Sequence, residues 1–207
     1  MSDPKTLGVI LAGGLARRMG GADKARIRIG GVTILERVLA RLRPQCARLI
    51  LNANDGARFV DAGLPVVADS VPDFPGPLAG ILAALDFAAA QAPDIAWVLS
   101  APSDCPFLPH DLVARLHQAR RDAGVMIACA ASGGRRHPVV ALWPVALRED
   151  LRRAITQVGA RKVAEWSARF TLTVAEWPAE PVDPFFNVNT PEDIAEAERL
   201  AALYPEA

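Results

Sequence analysis

An α/β fold, with a doubly wound and mostly parallel sheet between two helical layers, is what this sequence predicts. Three observations carry that expectation. Short apolar runs alternate along the chain with segments of helical period, the pattern of βαβ units. Each run is bounded by Gly, Pro or polar residues, as strands are. Hydrophobic residues make up 51% of the 207 and charged residues 22%, which suffices for a core and excludes a disordered chain.

The elements follow in order. Leu7–Leu11 is a continuous apolar run that reads as a buried strand ending in the turn Ala12-Gly13-Gly14. Thr33–Leu42 places apolar residues at 34, 35, 38, 39 and 42, a helical spacing. Arg48–Asn52, Pro65–Ala68, Ile95–Ala101 and Val125–Ala130 read as further strands. Helices are expected between them at 56–62, 78–92 and 110–122, the second supported by its alanines. Arg135–Trp143 is expected as a strand pairing outside the main run, with helices at 146–157 and 159–168 and a strand at 170–176. The Pro-rich stretch Pro178–Pro184 follows. Thr190 as N-cap and Pro191 at the first helical position open a last helix over 191–203. Neither a repeat nor a low-complexity linker interrupts this course, so a single domain over 1–207 is expected.

Charge and cysteine usage narrow the function classes. Lys+Arg and Asp+Glu are both 23, a net charge of +0, so the total charge gives no reason to expect nucleic acid or a membrane as partner. No uncharged apolar run approaches membrane-spanning length, and the apolar part of MSDPKTLGVILAGGL is too short and glycine-rich for a signal peptide. Cys46, Cys105 and Cys129 are odd in number and far apart, which fits a reducing cytoplasm rather than a disulfide framework or a CxxC metal knuckle. The charges are unevenly spread. Residues 1–50 carry ten basic and three acidic side chains, while 170–207 carry one and eight. Twenty of the 23 basic residues are arginines, which suits either a GC-rich genome or an anion site near the N-terminus.

In a doubly wound sheet the ligand sits at the carboxyl ends of the strands, so those ends are the places to inspect. After the first strand, Gly13, Gly14, Gly20 and Gly21 mix with Arg17, Arg18 and Lys24 in a loop suited to cradling an anion. It matches neither G-x-G-x-x-G nor a P-loop. Asn52-Ala53-Asn54 ends the second strand with amides able to read a base or a ribose hydroxyl, or simply to form a turn. Asp69 ends the third, before the rigid loop Pro72–Gly80. Asp104 in Pro102-Ser103-Asp104-Cys105-Pro106 is either a turn cap or, beside the anion loop, a hard oxygen ligand at a strand end for Mg2+ that also takes phosphate oxygens. Cys105 lacks a placed His partner, so it is not expected to be a nucleophile. His137 could serve as ligand or base, though packing towards the substrate is the expected role, and Asn187 and Asn189 alternate on one face of an extended segment.

LAGGLARRMGGADK with Ile27–Gly31, Asn52-Ala53-Asn54, Asp69-Ser70, PGPLAG, Pro102–Pro106, His137-Pro138 and FNVNTPED occur in an order that resembles nucleotidyltransferases of GT-A-like, Rossmann-like fold (the nucleotide-diphospho-sugar transferase type). Within them it most resembles the molybdenum cofactor guanylyltransferase (MobA) family, over residues 7 to about 200. Leu15 and Ala16 depart from the small or hydroxyl residues frequent in the wider superfamily. The resemblance implies transfer of GMP from GTP to the phosphate of molybdenum-molybdopterin, with Mg2+ as cofactor and pyrophosphate released. It implies a nucleotide-binding half at about 1–110 and an acceptor-binding half at about 111–207. Leu11, Ala12 and Gly13 would contact the nucleotide through backbone, Lys24 its phosphates, and Asn52 and Asp69 the nucleoside. The catalytic residues would be Arg18, Lys24 and, through its metal, Asp104, which neutralise the charge brought together when one phosphate attacks another. Asp104 would hold the metal, and Asn187 and Asn189 would line the cleft near the acceptor. A monomer is expected, with room for transient contact with cofactor-biosynthesis proteins or molybdoenzymes. Competing readings are the cytidylyltransferase relative, a sugar-phosphate nucleotidylyltransferase, a non-catalytic nucleotide- or cofactor-binding module and, most remotely, a dehydrogenase.

Overall fold

Burial of alternate faces builds the sheet first. In the computed structural model, which describes residues 3–12, 26–72 and 76–206, β1 (Thr6–Leu11) is buried along almost its whole length. It pairs in parallel with β4 (Arg48–Asn52) on one side and β6 (Trp97–Pro102) on the other. The short β5 (Val66–Val67) extends the sheet beyond β4. On the far side of β6 lie β8 (Arg135–Pro144), β7 (Ile127–Ser132) and β9 (Leu172–Trp177), giving the order β5-β4-β1-β6-β8-β7-β9. Six strands run one way. Among the described residues of this sheet, β8 alone is reversed, antiparallel to both β6 and β7.

The strand 135–143 therefore does not pair outside the main run but lies within it, a correction with a local cause. Gly133 and Gly134 have φ of +53° and +75°, and this two-residue turn folds β8 straight back along β7. Its arginine-led start stays exposed while Val140–Pro144 is buried. The helix expected at 56–62 is present within those bounds, in 3-10 rather than α form. It is two 3-10 turns merged across a kink at Phe59 (φ −123°, ψ 19°), with only Phe59 buried to hold it. A small hairpin of β2 (Arg28–Ile29) and β3 (Val32–Thr33) precedes the first helix.

Helices cover both faces. On one side α1 (Ile34–Leu42), α3 (Leu112–Asp122) and α6 (Pro191–Leu203) pack through Ile34, Val38, Leu112, Leu116, Ala197 and Leu200. On the other lie α2 (Pro77–Gln91), α4 (Arg148–Thr156) and the short α5 (Val163–Ser167). α2 is apolar nearly all round, with nine buried residues, and it lies against β1, β4, β6 and α4, so it needs no polar face. Capping boxes fix two helix starts: Thr33 with Glu36 at α1 and Thr190 with Asp193 at α6.

The chain leaves β1 towards β4 and β5, then crosses back to place β6 on β1's other side. Loops diverge at the carboxyl ends of β1 and β6 for that reason, which opens the crevice where such folds bind ligands.

Candidate functional site

Strand register brings the first site residues level. Leu11 lies opposite Asn52 of β4 and Pro102 of β6. The Ala12 N–H donates to the Asn52 carbonyl (3.0 Å), and the Ser103 N–H donates to the Leu11 carbonyl (3.1 Å). The backbone that leads into the glycine-rich loop is thus clamped between the Asn52 and Asp104 strand ends. Gly13, Arg18 and Lys24 lie outside the described residues.

On the β4 side, amides and a carboxylate form a closed cluster. Asn52 Nδ2 donates to the Val67 carbonyl (3.1 Å) and to Asp69 Oδ1 (2.9 Å). Asn54 Nδ2 donates to Asp69 Oδ2 (2.9 Å), and the Asp69 N–H returns a bond to Asn54 Oδ1 (2.9 Å). Asn52 is only 4% exposed, whereas Asp69 is half-buried and Asn54 exposed. Both donor hydrogens of Asn52 are therefore used inside the protein, and its visible task is to hold Asp69 at the rim. Its Oδ1 rests on Gly80 of α2, where a methyl group would overlap it and stand 2.7 Å from Leu11 Cδ2. Gly80 was not singled out by sequence reasoning as a site residue. The signal available was only its place in PGPLAG.

On the β6 side, Asp104 is half-buried and is met by the C-terminal half of the chain. Asn187 Nδ2 donates to Asp104 Oδ1 (2.9 Å), and the Val188 N–H donates to the Asp104 carbonyl (3.0 Å). Asn187 is thus joined to the predicted metal ligand itself. The Asn189 N–H donates instead to Asp193 Oδ2 (2.8 Å) at the start of α6. Cys105 is fully buried, and burial, aided by the neighbouring Asp104 charge, pushes its thiol well above the ordinary range. It stays protonated near neutral pH and is no nucleophile. His137 is 9% exposed and packs its ring on Phe185 at 4.7 Å; burial lowers its pKa. A cavity of about 540 Å³ opens elsewhere, between Phe107, Pro109, Trp177, Pro181 and Tyr204, and none of the strand-end residues above lines it. Position at the switch point, not cavity size, marks the site.

The donor set bears on the expected metal. Among the described residues, no group of three or more His, Cys, Asp and Glu side chains could hold an ion. One carboxylate oriented by an amide does not make a protein cage, but it fits Mg2+ that completes its shell with water and phosphate oxygens.

A mostly parallel sheet with an oriented carboxylate at its switch point is the arrangement of an α/β protein that binds its ligand at the strand ends. The sequence model of the MobA-like NTP transferase domain matches residues 8–170, and the chain belongs to that family. The molybdenum cofactor guanylyltransferase of Nitrobacter hamburgensis is 64% identical over 201 residues, 97% of this chain and 96% of the relative. That of Rhodopseudomonas palustris strain BisB5 is 61% identical over 199 residues, 96% and 95% of the two chains. Among solved structures, molybdopterin-guanine dinucleotide biosynthesis protein A from Archaeoglobus fulgidus superposes with a TM-score of 0.74 at 24% identity, covering 96% of this chain and 99% of that one. The 4-diphosphocytidyl-2C-methyl-D-erythritol synthase of Anaerococcus prevotii gives 0.74 at 14%, with 96% of each chain covered. These two likenesses show the shared fold.

Proposed function

We propose that the chain transfers GMP from GTP to the phosphate of molybdenum-molybdopterin, forming molybdopterin guanine dinucleotide and pyrophosphate. The observation that carries the reading is Asp104, set at the end of β6 beside the Leu11–Ala12 backbone and joined by Asn187 to the C-terminal half. The curated relatives at 64% and 61% identity, which bear the guanylyltransferase name, favour GTP over the other nucleotides.

The chemistry suits these residues. A phosphate nucleophile is already ionised near neutral pH, so the site needs charge neutralisation and alignment more than a general base. Arg18 and Lys24 would meet the nucleotide's phosphates, with Leu11, Ala12 and Gly13 contributing backbone. Asp69, held by Asn52, would contact the nucleoside. Asp104 would hold Mg2+, whose charge would offset that of the phosphates when it is bound. Asn189, and Asn187 beyond its bond to Asp104, would face the acceptor. We further propose a monomer working in the cytoplasm. All three cysteines are free thiols, and among the described residues no helix is long and apolar enough to cross a membrane.

The test is pyrophosphate release with Mg2+, molybdenum-loaded molybdopterin and each of the four nucleoside triphosphates. GTP alone should support turnover, and turnover with CTP would reassign the base specificity. Asp104→Ala should lower turnover about a hundredfold or more while the protein stays folded. Retained activity would remove Asp104 from the metal site.

A further inference from the structure

A buried hydrogen-bonded relay lies at the carboxyl end of β7, outside the site described above. Ser132, 3% exposed, places its Oγ 2.7 Å from Asp183 Oδ1 and 2.8 Å from His137 Nε2. A serine hydroxyl has one proton and a carboxylate only accepts, so that proton goes to Asp183. His137 must then donate its Nε2–H to Ser132, which fixes its neutral tautomer. This order, imidazole to hydroxyl to carboxylate, is the reverse of a nucleophilic triad, where the hydroxyl gives its proton to the imidazole. The relay is built to hold rather than to react.

What it holds is the segment 183–188. Asp183 Oδ1 also accepts the Phe185 N–H (2.9 Å), and the Asp183 carbonyl accepts the Phe186 N–H (3.1 Å), so the aspartate winds the segment into a turn. The Phe185 ring is fully buried, wedged between His137 at 4.7 Å and Trp177 at 5.4 Å. Two residues further on, Asn187 reaches Asp104 Oδ1 and Val188 reaches the Asp104 carbonyl. The connection runs from β7 and β8 through six residues to the predicted metal ligand just beyond the end of β6.

We propose that Ser132, His137 and Asp183 are positioning residues: they form a latch that holds Asn187 against Asp104 and thereby sets the orientation of the Asp104 carboxylate. The proposal rests on the reading of Asp104 as metal ligand for its effect on the ion, though not for the latch itself. Ser132→Ala removes the central hydroxyl. Asp183→Asn keeps the shape and the acceptor oxygen, so it should retain most of the function; should Ser132→Ala fail to fold, Asp183→Ala takes its place.

Two readouts test it. In nuclear magnetic resonance spectra, the Asn187 side-chain amide should be protected from exchange in the parent protein and lose that protection in Ser132→Ala. Mn2+ binding in the presence of GTP, followed by electron paramagnetic resonance, should weaken about tenfold to a hundredfold in Ser132→Ala and only a few-fold in Asp183→Asn. Thr6→Val removes the buried hydrogen bond between Thr6 and His117 at the opposite end of the sheet and serves as a stability control; it should leave both readouts unchanged. An unaltered Asn187 amide and unaltered Mn2+ affinity in Ser132→Ala would overturn the latch. Asp104→Asn separates the two readings. If it leaves Mn2+ affinity intact, the metal assignment falls and with it the latch's effect on the ion, while the amide readout still decides the latch.

Discussion

Asn52 and Gly80 form a pair in which the missing side chain of one makes room for the other. The Asn52 carboxamide sits where a Gly80 methyl would have to be, with both its N–H groups committed to Val67 and Asp69. Gly80→Ala should push Asn52 aside, release Asp69 from its bond and raise the KM for GTP about tenfold. Overpacking there should also cost about 1–3 kcal/mol, read by denaturant unfolding. Parent-like KM and stability would show that the crevice can absorb the methyl. Sequence placed Asn52, Asp69 and Asp104 at strand ends, because a terminus is visible in the pattern of apolar runs. It did not show that Asn52 spends its amide on Asp69 seventeen positions away, nor that Asn187 reaches Asp104 across 83. Such partners are set by sheet order, which periodicity does not encode.

α6 shows how an element can serve stability and site together. Thr190 Oγ1 accepts the Asp193 N–H (3.2 Å), while Asp193 Oδ2 accepts the N–H groups of both Thr190 and Asn189 (2.8 Å each). Thr190→Ala should remove about 1 kcal/mol, a fall in Tm of about 2–4 °C, with kcat and both substrate KM values unchanged. Asp193→Ala should lower Tm similarly and also raise the acceptor KM, since it frees the Asn189 backbone. Equal kinetics for the two variants would sever the cap from the site. This cap was legible from Thr190-Pro191 because its signals are local. The reversed strand β8 was not: its pattern of apolar residues is the same in either direction, and only its partners β6 and β7 reveal it. At 56–62 a helical segment was legible but its 3-10 form was not, for a related reason. A seven-residue segment with one buried side chain has too little period to separate an α-helix from a tighter coil.

At the scale of the whole molecule, the end of the sheet away from the crevice carries a buried titratable group. His117 is fully buried; Arg120 Nε donates to its Nδ1 (3.0 Å), so Nε2–H faces Thr6 Oγ1 (2.8 Å). Burial, reinforced by Arg120, pushes its pKa from 6.5 down to about 4. The unfolded chain binds this proton from pH 6.5 downwards while the folded one refuses it until about 4, so stability is complete above pH 6.5 and lost as pH falls through that window. The loss is of the order of 2–3 kcal/mol by pH 4. Thermal unfolding should show Tm falling by about 4–8 °C between pH 7 and 5, and His117→Gln should flatten that slope. An unchanged slope would place the acid sensitivity elsewhere.

The single reversed strand has one more consequence. In an all-parallel sheet each strand offers the ligand edge one outgoing loop, and the next strand begins at the far edge. Because β8 runs backwards, both the end of β7 and the start of β8 stand at that edge, joined by nothing more than Gly133-Gly134. A hairpin tip lengthens without disturbing the ladder beneath it. Evolution, or an engineer, could therefore graft extra residues there and reshape the rim next to Ser132 and Asp183 while every buried strand stays where it is.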